Sequence, residues 1–182
     1  MEKTMKTENH AAADTQVRTI VTAALMAALA CVATMVIRVP SPTGGYMNLG
    51  DTVVLLGAFL LGPWYGALAG GVGSAMADAL SGYMVYVPAT LVIKAVMAIL
   101  AGLLYRGLKK KFGGIILSAV VGEIPMVAGY WLFDALLLHS FTGSAAGIPS
   151  NLVQAGFGVA VSVFLAAALR KSGYVRSRFS NL

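Results

Sequence analysis

Seven polar residues interrupt otherwise apolar stretches of the chain: Asp51, Asp78, Lys94, Glu123, Asp134, Asn151 and Gln154. In a non-aqueous interior each of them needs a partner, a water-filled cavity or a ligand. Glu123, Val127, Tyr130 and Asp134 follow one another at spacings of four, three and four, so they share one helical face, with Trp131 beside it. Such a face suits a flat polar ring: the aromatic side chain stacks and the carboxylate accepts N–H or O–H bonds. The bland alternative is that Tyr130 and Trp131 belong to an interfacial aromatic belt.

The other polar residues also carry two readings each. Lys94 either snorkels outward on its long stem or pairs with Asp78, Asp134 or Glu123 as part of a site. Asn151, in Pro149-Ser150-Asn151, is either a helix cap or a ligand contact, whereas Gln154 has no capping role to explain it. Asp51, just after Gly50, reads as the N-cap of a short helix. Asp78 divides evenly between scaffold partner and ligand contact. His139 reads as a loop residue. The candidate binding set is therefore Lys94, Glu123, Tyr130, Trp131, Asp134, Asn151, Gln154 and Asp78.

Several activities are excluded. The chain holds no G-x-x-x-x-G-K-[ST] phosphate loop, so it does not hydrolyse ATP itself. It holds no H-E-x-x-H and no G-x-S-x-G elbow. Glu123 and His139 would lie about 24 Å apart along one helix at 1.5 Å per residue, too far to act together. The single cysteine, Cys31, makes neither an internal disulfide nor a metal site and reads as a small packing residue. No metal or cofactor is expected.

The elements that position these residues follow from composition. Hydrophobic residues make up 58% of the 182 and charged residues 11%, with mean hydropathy +0.81. Soluble domains carry about 25% charged residues, so this is an integral membrane protein, and its length fits one helical bundle. Residues 1–16 read as a polar, disordered tail, 17–172 as the membrane domain and 173–182 as a basic tail. Apolar segments are expected near 18–37, 51–61, 64–80, 88–105, 113–138 and 149–169. They make a single all-α bundle of six transmembrane helices. The second is short for a bilayer core of about 30 Å, and Gly62-Pro63 reads as a turn. The loop 38–50, RVPSPTGGYMNLG, is expected to be irregular because of its prolines and glycines.

Lys3, Lys6, Arg18, Arg106, Lys109, Lys110, Lys111, Arg170, Lys171, Arg176 and Arg178 fall on one side of this arrangement and Arg38 alone on the other. Eleven against one places both termini in the cytoplasm of a cell whose plasma membrane the chain crosses repeatedly. That distribution favours a membrane role for the net charge of +6 over nucleic-acid binding. Most of the polar set then lies in the outer half, with Glu123 near the midplane, which describes a pocket opening outward.

Two stretches are small by design. Gly62, Gly66, Gly70, Ser74 and Asp78 recur every fourth residue and form a groove in which helix backbones can approach closely. Ala23, Ala27 and Cys31, with Ala24 and Ala28 alongside, form two small-residue ladders for packing or for docking a separate protein.

TAALMAALA at 22–30, the Pro/Gly loop and NLGDTVVLLGAFLLGPWYGALAGGVGSAMADALSGY at 48–83 resemble the substrate-binding S component of energy-coupling factor (ECF) vitamin transporters. The resemblance spans about 18–169 and is nearest to hydroxymethylpyrimidine- or pyridoxine-type members, with riboflavin-type members as the alternative. It implies a vitamin-binding transport subunit, not an enzyme, in the lipid bilayer. Its partners would be a transmembrane coupling protein and two ATPases. It further implies docking of that coupling protein on Ala23, Ala24, Ala27 and Ala28, and a gating loop carrying Tyr46 and Asn48 over a pocket lined by the last three helices. A self-sufficient secondary transporter is the rival, but the inverted repeat typical of one is not visible.

Overall fold

The computed structural model describes residues 2–108, 111–179 and 181, with side chains for 15–108, 111–175, 177–179 and 181. The chain runs α1 (Glu2–Val36), β1 (Val39–Pro40), β2 (Tyr46–Met47), α2 (Gly50–Leu61), α3 (Pro63–Leu80), α4 (Val87–Gly107), α5 (Phe112–Leu138), α6 (Phe141–Ser144), a 3-10 turn (Ala145–Gly147), α7 (Ile148–Lys171) and α8 (Gly173–Arg178). The tail expected over 1–16 falls largely outside the described side chains, as do Lys3, Lys6, Lys109, Lys110 and Arg176 of the basic set.

The single bundle of six transmembrane helices needs correction. Among the described residues four helical stretches are long and apolar enough to cross a bilayer: Thr15–Val36, Val87–Gly107, Phe112–Leu138 and Phe141–Lys171. The last takes in α6, the 3-10 turn and α7. What differs is α2 and α3. The 12 residues of α2 are all buried, and at 1.5 Å per residue they extend only about 18 Å. This helix is surrounded by protein rather than by lipid. The 18 residues of α3 include four glycines, a serine and an aspartate, which dilute its hydropathy.

The reversal between α2 and α3 takes one residue outside the helices, Gly62. Its φ of 85° lies in the left-handed region that glycine enters without a Cβ clash, and Pro63 then starts α3. The Leu60 carbonyl at the end of α2 accepts from Asn181 Nδ2 at 3.2 Å, and Asn181 Oδ1 accepts from Arg106 at 3.2 Å. That end of the molecule is basic. The other end carries the 38–50 loop and the aromatic residues Tyr46, Tyr83 and Tyr86.

The small face of α3 does its packing against several neighbours at once. A Cβ on Gly66 would stand 2.7 Å from Ala58 Cα and 2.8 Å from Ala58 N of α2, and one on Gly73 would run into the Ala27 carbonyl of α1. Without a hydrophobic drive between helices in lipid, this backbone proximity is a main source of cohesion. It also splits the alanine ladders. Ala23 and Cys31 are buried and Ala27 half-buried toward α3, whereas Ala24 and Ala28 are exposed.

The loop is not wholly irregular, contrary to expectation. Val39 pairs with Met47 and Pro40 with Tyr46 in an antiparallel ribbon. Ser41 N–H donates to the Gly45 carbonyl at 2.9 Å, and Gly44, with φ 97°, closes the turn. The prolines are accommodated because a two-stranded ribbon has only edges, where a missing N–H does no harm.

Gly66→Ala is expected to lower stability by about 1–3 kcal/mol, because the atoms in the way are helix backbone. Gly156→Ala, where a Cβ meets nothing within 4 Å, is expected to leave stability unchanged or raised. Thermal unfolding of the two variants in detergent checks the contrast.

Candidate functional site

The first turn of α2 brings Asp51 into the middle of the bundle, where it is 0% exposed. It is not an N-cap: Leu49 holds that position and no side chain caps the helix. Its Oδ1 forms an ion pair with Lys94 Nζ of α4, and its Oδ2 accepts from Gln154 Nε2 of α7 at 2.6 Å. The other end of the Gln154 amide accepts from the Asn48 backbone N–H at 2.7 Å. Asn48 Oδ1 in turn accepts from Gly50 N–H at 2.8 Å, which fixes the entry to α2. Lys94 therefore does not snorkel, and its ion pair is with Asp51 rather than with Asp78, Asp134 or Glu123. Its ammonium stands 5.3 Å from the centroid of the Tyr130 ring, and the Tyr130 hydroxyl lies 3.0 Å from Thr90 Oγ1.

Glu123 of α5 is 3% exposed, and neither carboxyl oxygen has a hydrogen-bond partner among the described residues. Gly158 of α7 makes room for it: a Cβ there would stand 2.6 Å from Glu123 Oε1 and 2.9 Å from Asp51 Cβ. The two acids are thus neighbours across a glycine.

A second layer lies toward the loop. Tyr46 donates to Asp78 Oδ1 at 2.6 Å, and Tyr86 donates to Asp134 Oδ1 at 2.9 Å and to the Thr43 carbonyl at 3.4 Å. Ser41 Oγ and Ser150 Oγ are 3.0 Å apart. The Tyr46 and Tyr83 rings are 4.5 Å apart, and Tyr86 packs edge-on to Phe133 at 5.4 Å. Burial and then the bond to Asp78 push the Tyr46 phenol above its ordinary range, and burial with Asp134 does the same for Tyr86. Both hydroxyls stay protonated donors at physiological pH. Asp78 and Asp134 thus fasten the loop region to α3 and α5.

The candidate residues therefore divide. Lys94, Glu123, Tyr130 and Gln154 gather around Asp51, with Asp78 and Asp134 in the layer by the loop. Asn151 is buried at the start of α7, next to Ser150. Trp131 turns away from Tyr130: its indole N–H donates to the Phe141 carbonyl at 3.3 Å, and its ring packs edge-on to Phe141 at 5.9 Å. Adjacent residues on a helix point in different directions, so Tyr130 and Trp131 do not form one stacking surface. Three polar residues of this region were not expected to have roles in it, namely Asp51, Thr90 and Tyr86. Only Asp51 had a signal, as an acid within an apolar run.

The inner layer is held rigid by an ion pair. Removing one member leaves the other charged and buried, which costs about 3–5 kcal/mol. Lys94→Gln and Asp51→Asn are each expected to lose that much stability, and Asp51→Leu combined with Lys94→Met to recover most of it. Denaturant titration of the purified variants measures the difference.

Comparisons with known proteins bear on the family and the fold. The chain is 40% identical over 141 residues, 77% of this chain and 93% of the other, to an "Uncharacterized protein in gap 3'region" of Pyrococcus woesei. It is 27% identical over 135 residues, 74% of this chain and 76% of the other, to the thiamine precursor transporter HmpT of Lactococcus lactis. Its fold matches a solved S component of a bacterial ECF transporter with a TM-score of 0.70 at 20% identity, over 86% of this chain and 97% of that one. The family model for the S component of ECF-type riboflavin transporters matches residues 14–171. This chain belongs to that family of membrane transport subunits.

Proposed function

We propose that the ligand of this S component is a small ring vitamin or vitamin precursor such as hydroxymethylpyrimidine or pyridoxine, taken up from outside the cell. The observation that carries the reading is the inner layer: one ammonium, two carboxyls, an amide and an aromatic face converge beneath a loop tied down by hydrogen bonds. Such a set matches a single polar ring, with the ring on Tyr130 and its substituents shared among Lys94, Glu123 and Gln154. Asn151, Asp78 and Asp134 border it, whereas Trp131 lies against Phe141 away from the ring. The 38–50 loop, through Tyr46 and Asn48, acts as the gate. The resemblance to a thiamine precursor transporter supports this substrate class. The family's riboflavin description gives the second reading. Riboflavin is larger and would need a wider aromatic cleft than the single Tyr130 face offers.

Energy comes from elsewhere. A transmembrane coupling protein and two ATPases complete the importer, and both termini of this chain face the cytoplasm. An apolar groove of about 610 Å³ runs between α1 and α3, lined by Ala23, Ala24, Ala27, Ala28, Leu68 and Val72 among others. We assign the coupling protein to this groove, since Ala24 and Ala28 leave room there for a helix from a partner.

Equilibrium binding to detergent-purified protein tests the substrate. Binding of hydroxymethylpyrimidine or pyridoxine that riboflavin does not compete away is expected. Tight binding of riboflavin alone would transfer the assignment to the second reading. Ala24→Trp with Ala28→Trp is expected to abolish uptake by the assembled importer while leaving ligand affinity within about twofold, a margin of less than 0.5 kcal/mol. Loss of binding as well would mean that this face is internal packing.

A further inference from the structure

Glu123 is a buried acid with no ion pair of its own among the described residues. The groups facing it are few. From α2 there is Asp51, from α4 Lys94, and from α5 itself Tyr130 and, nearer the loop, Asp134. α6 and the 3-10 turn bring no titratable side chain, and α7 brings only Gln154 before Arg170 and Lys171 at its far end. The one ammonium is already engaged by Asp51. Glu123 is 3% exposed, and neither of its oxygens is bonded among the described residues.

The acid also faces an opening. A fissure of about 630 Å³ separates α5 from α7 on the outside of the bundle. Its walls are apolar, including Val120, Ile124, Val127, Leu152 and Val159, and Glu123 is the one acid lining it. Ile124 and Leu152 are 60% and 55% exposed at its rim, so its mouth is apolar. Two neighbouring carboxylates that share one ammonium, one of them beside apolar walls, do not both ionise readily, and the one without the ion pair holds its proton instead.

We propose that Glu123 is a neutral carboxylic acid in the ligand-free protein and that a basic ring is bound by exchange for its proton. This rests on the ring-binding reading above and adds that the substrate class is a basic nitrogen heterocycle, one that carries a positive charge when bound. The balance depends on the form in which the ring arrives. A protonated ring pairs with the Glu123 carboxylate, and the displaced proton goes to solvent. A neutral ring takes the proton from Glu123, and none is released. The two carboxylates of the occupied site then face two cations, Lys94 and the ring.

Two measurements on the full-length protein test this. The first needs no ligand. A hydrophobic carbodiimide adds to a protonated carboxyl, whose proton moves to a carbodiimide nitrogen as its oxygen bonds to the central carbon. The adduct then rearranges to a stable N-acylurea. One adduct on Glu123 by peptide mass spectrometry is expected, absent from Glu123→Gln. An unlabelled Glu123 in protein whose reagent has access to the bilayer overturns the proposal. The second measurement is calorimetry of 4-amino-5-hydroxymethyl-2-methylpyrimidine binding in buffers of different ionisation enthalpy. One proton should be released below the ring's own pKa and none above it. No release below that pKa, with one proton taken up above it, means that Glu123 was already ionised and overturns the exchange while leaving the ring-binding reading standing. Failure of this ring and of pyridoxine to bind defeats both. Glu123→Gln is expected to bind the pyrimidine about 10–100-fold more weakly, as loss of one charge-assisted hydrogen bond implies, and to release no proton above the ring's pKa.

Discussion

A lysine ammonium that is 1% exposed inside a membrane protein has to meet an anion, and here that anion arrives on the first turn of the shortest long helix. The pairing of Lys94 with Asp51 sets the relative height of α4 and α2. Because α2 is buried on every side, its position also sets that of α3, which packs back on it through Gly66 and Ala58. Gln154 then ties α7 to the same carboxylate. Three helices and the loop are located by one charged pair, and the close approach of α3 follows from glycine where any Cβ would collide.

The polar groups fall into two layers with different electrostatics. Toward the loop, Asp78 and Asp134 are each met by a tyrosine hydroxyl. Those bonds hold segments together without involving a buried cation. In the inner layer the acids outnumber the one lysine, and Gly158 allows them to be close. The outer layer is thus mechanical, whereas the inner layer is left with an acid that has no ion pair of its own among the described residues, although both are built from the same residue types.

Much of this was legible in the sequence and some of it was not. Hydropathy and glycine spacing gave the helical membrane class, the turn at Gly62-Pro63 and the shortness of α2. They overcounted membrane-spanning helices because an apolar run looks the same whether lipid or protein surrounds it. Spacing on α5 correctly put Glu123, Tyr130 and Asp134 on one side. Partners were a different matter. Asp51 follows a loop and Gly50, which is the local signature of a cap, while its actual bonds are to residues 43 and 103 positions away. Tyr46 and Asp78 are 32 apart, and Tyr86 and Asp134 48 apart. No local pattern encodes a pairing of that range. The side-chain identity signals that a bond is needed, and only the folded backbone decides with whom.

The double use of Gln154 has a mechanical consequence. One face of its amide accepts the Asn48 backbone N–H from the loop, and the other donates to Asp51 in the interior. A planar amide cannot turn one end without turning the other. Any outward swing of the loop that draws this side chain along also strips a donor from a carboxylate already balanced against a single ammonium. Loop displacement and interior charge balance are therefore a single cooperative variable, with Gln154 as the rigid lever between them.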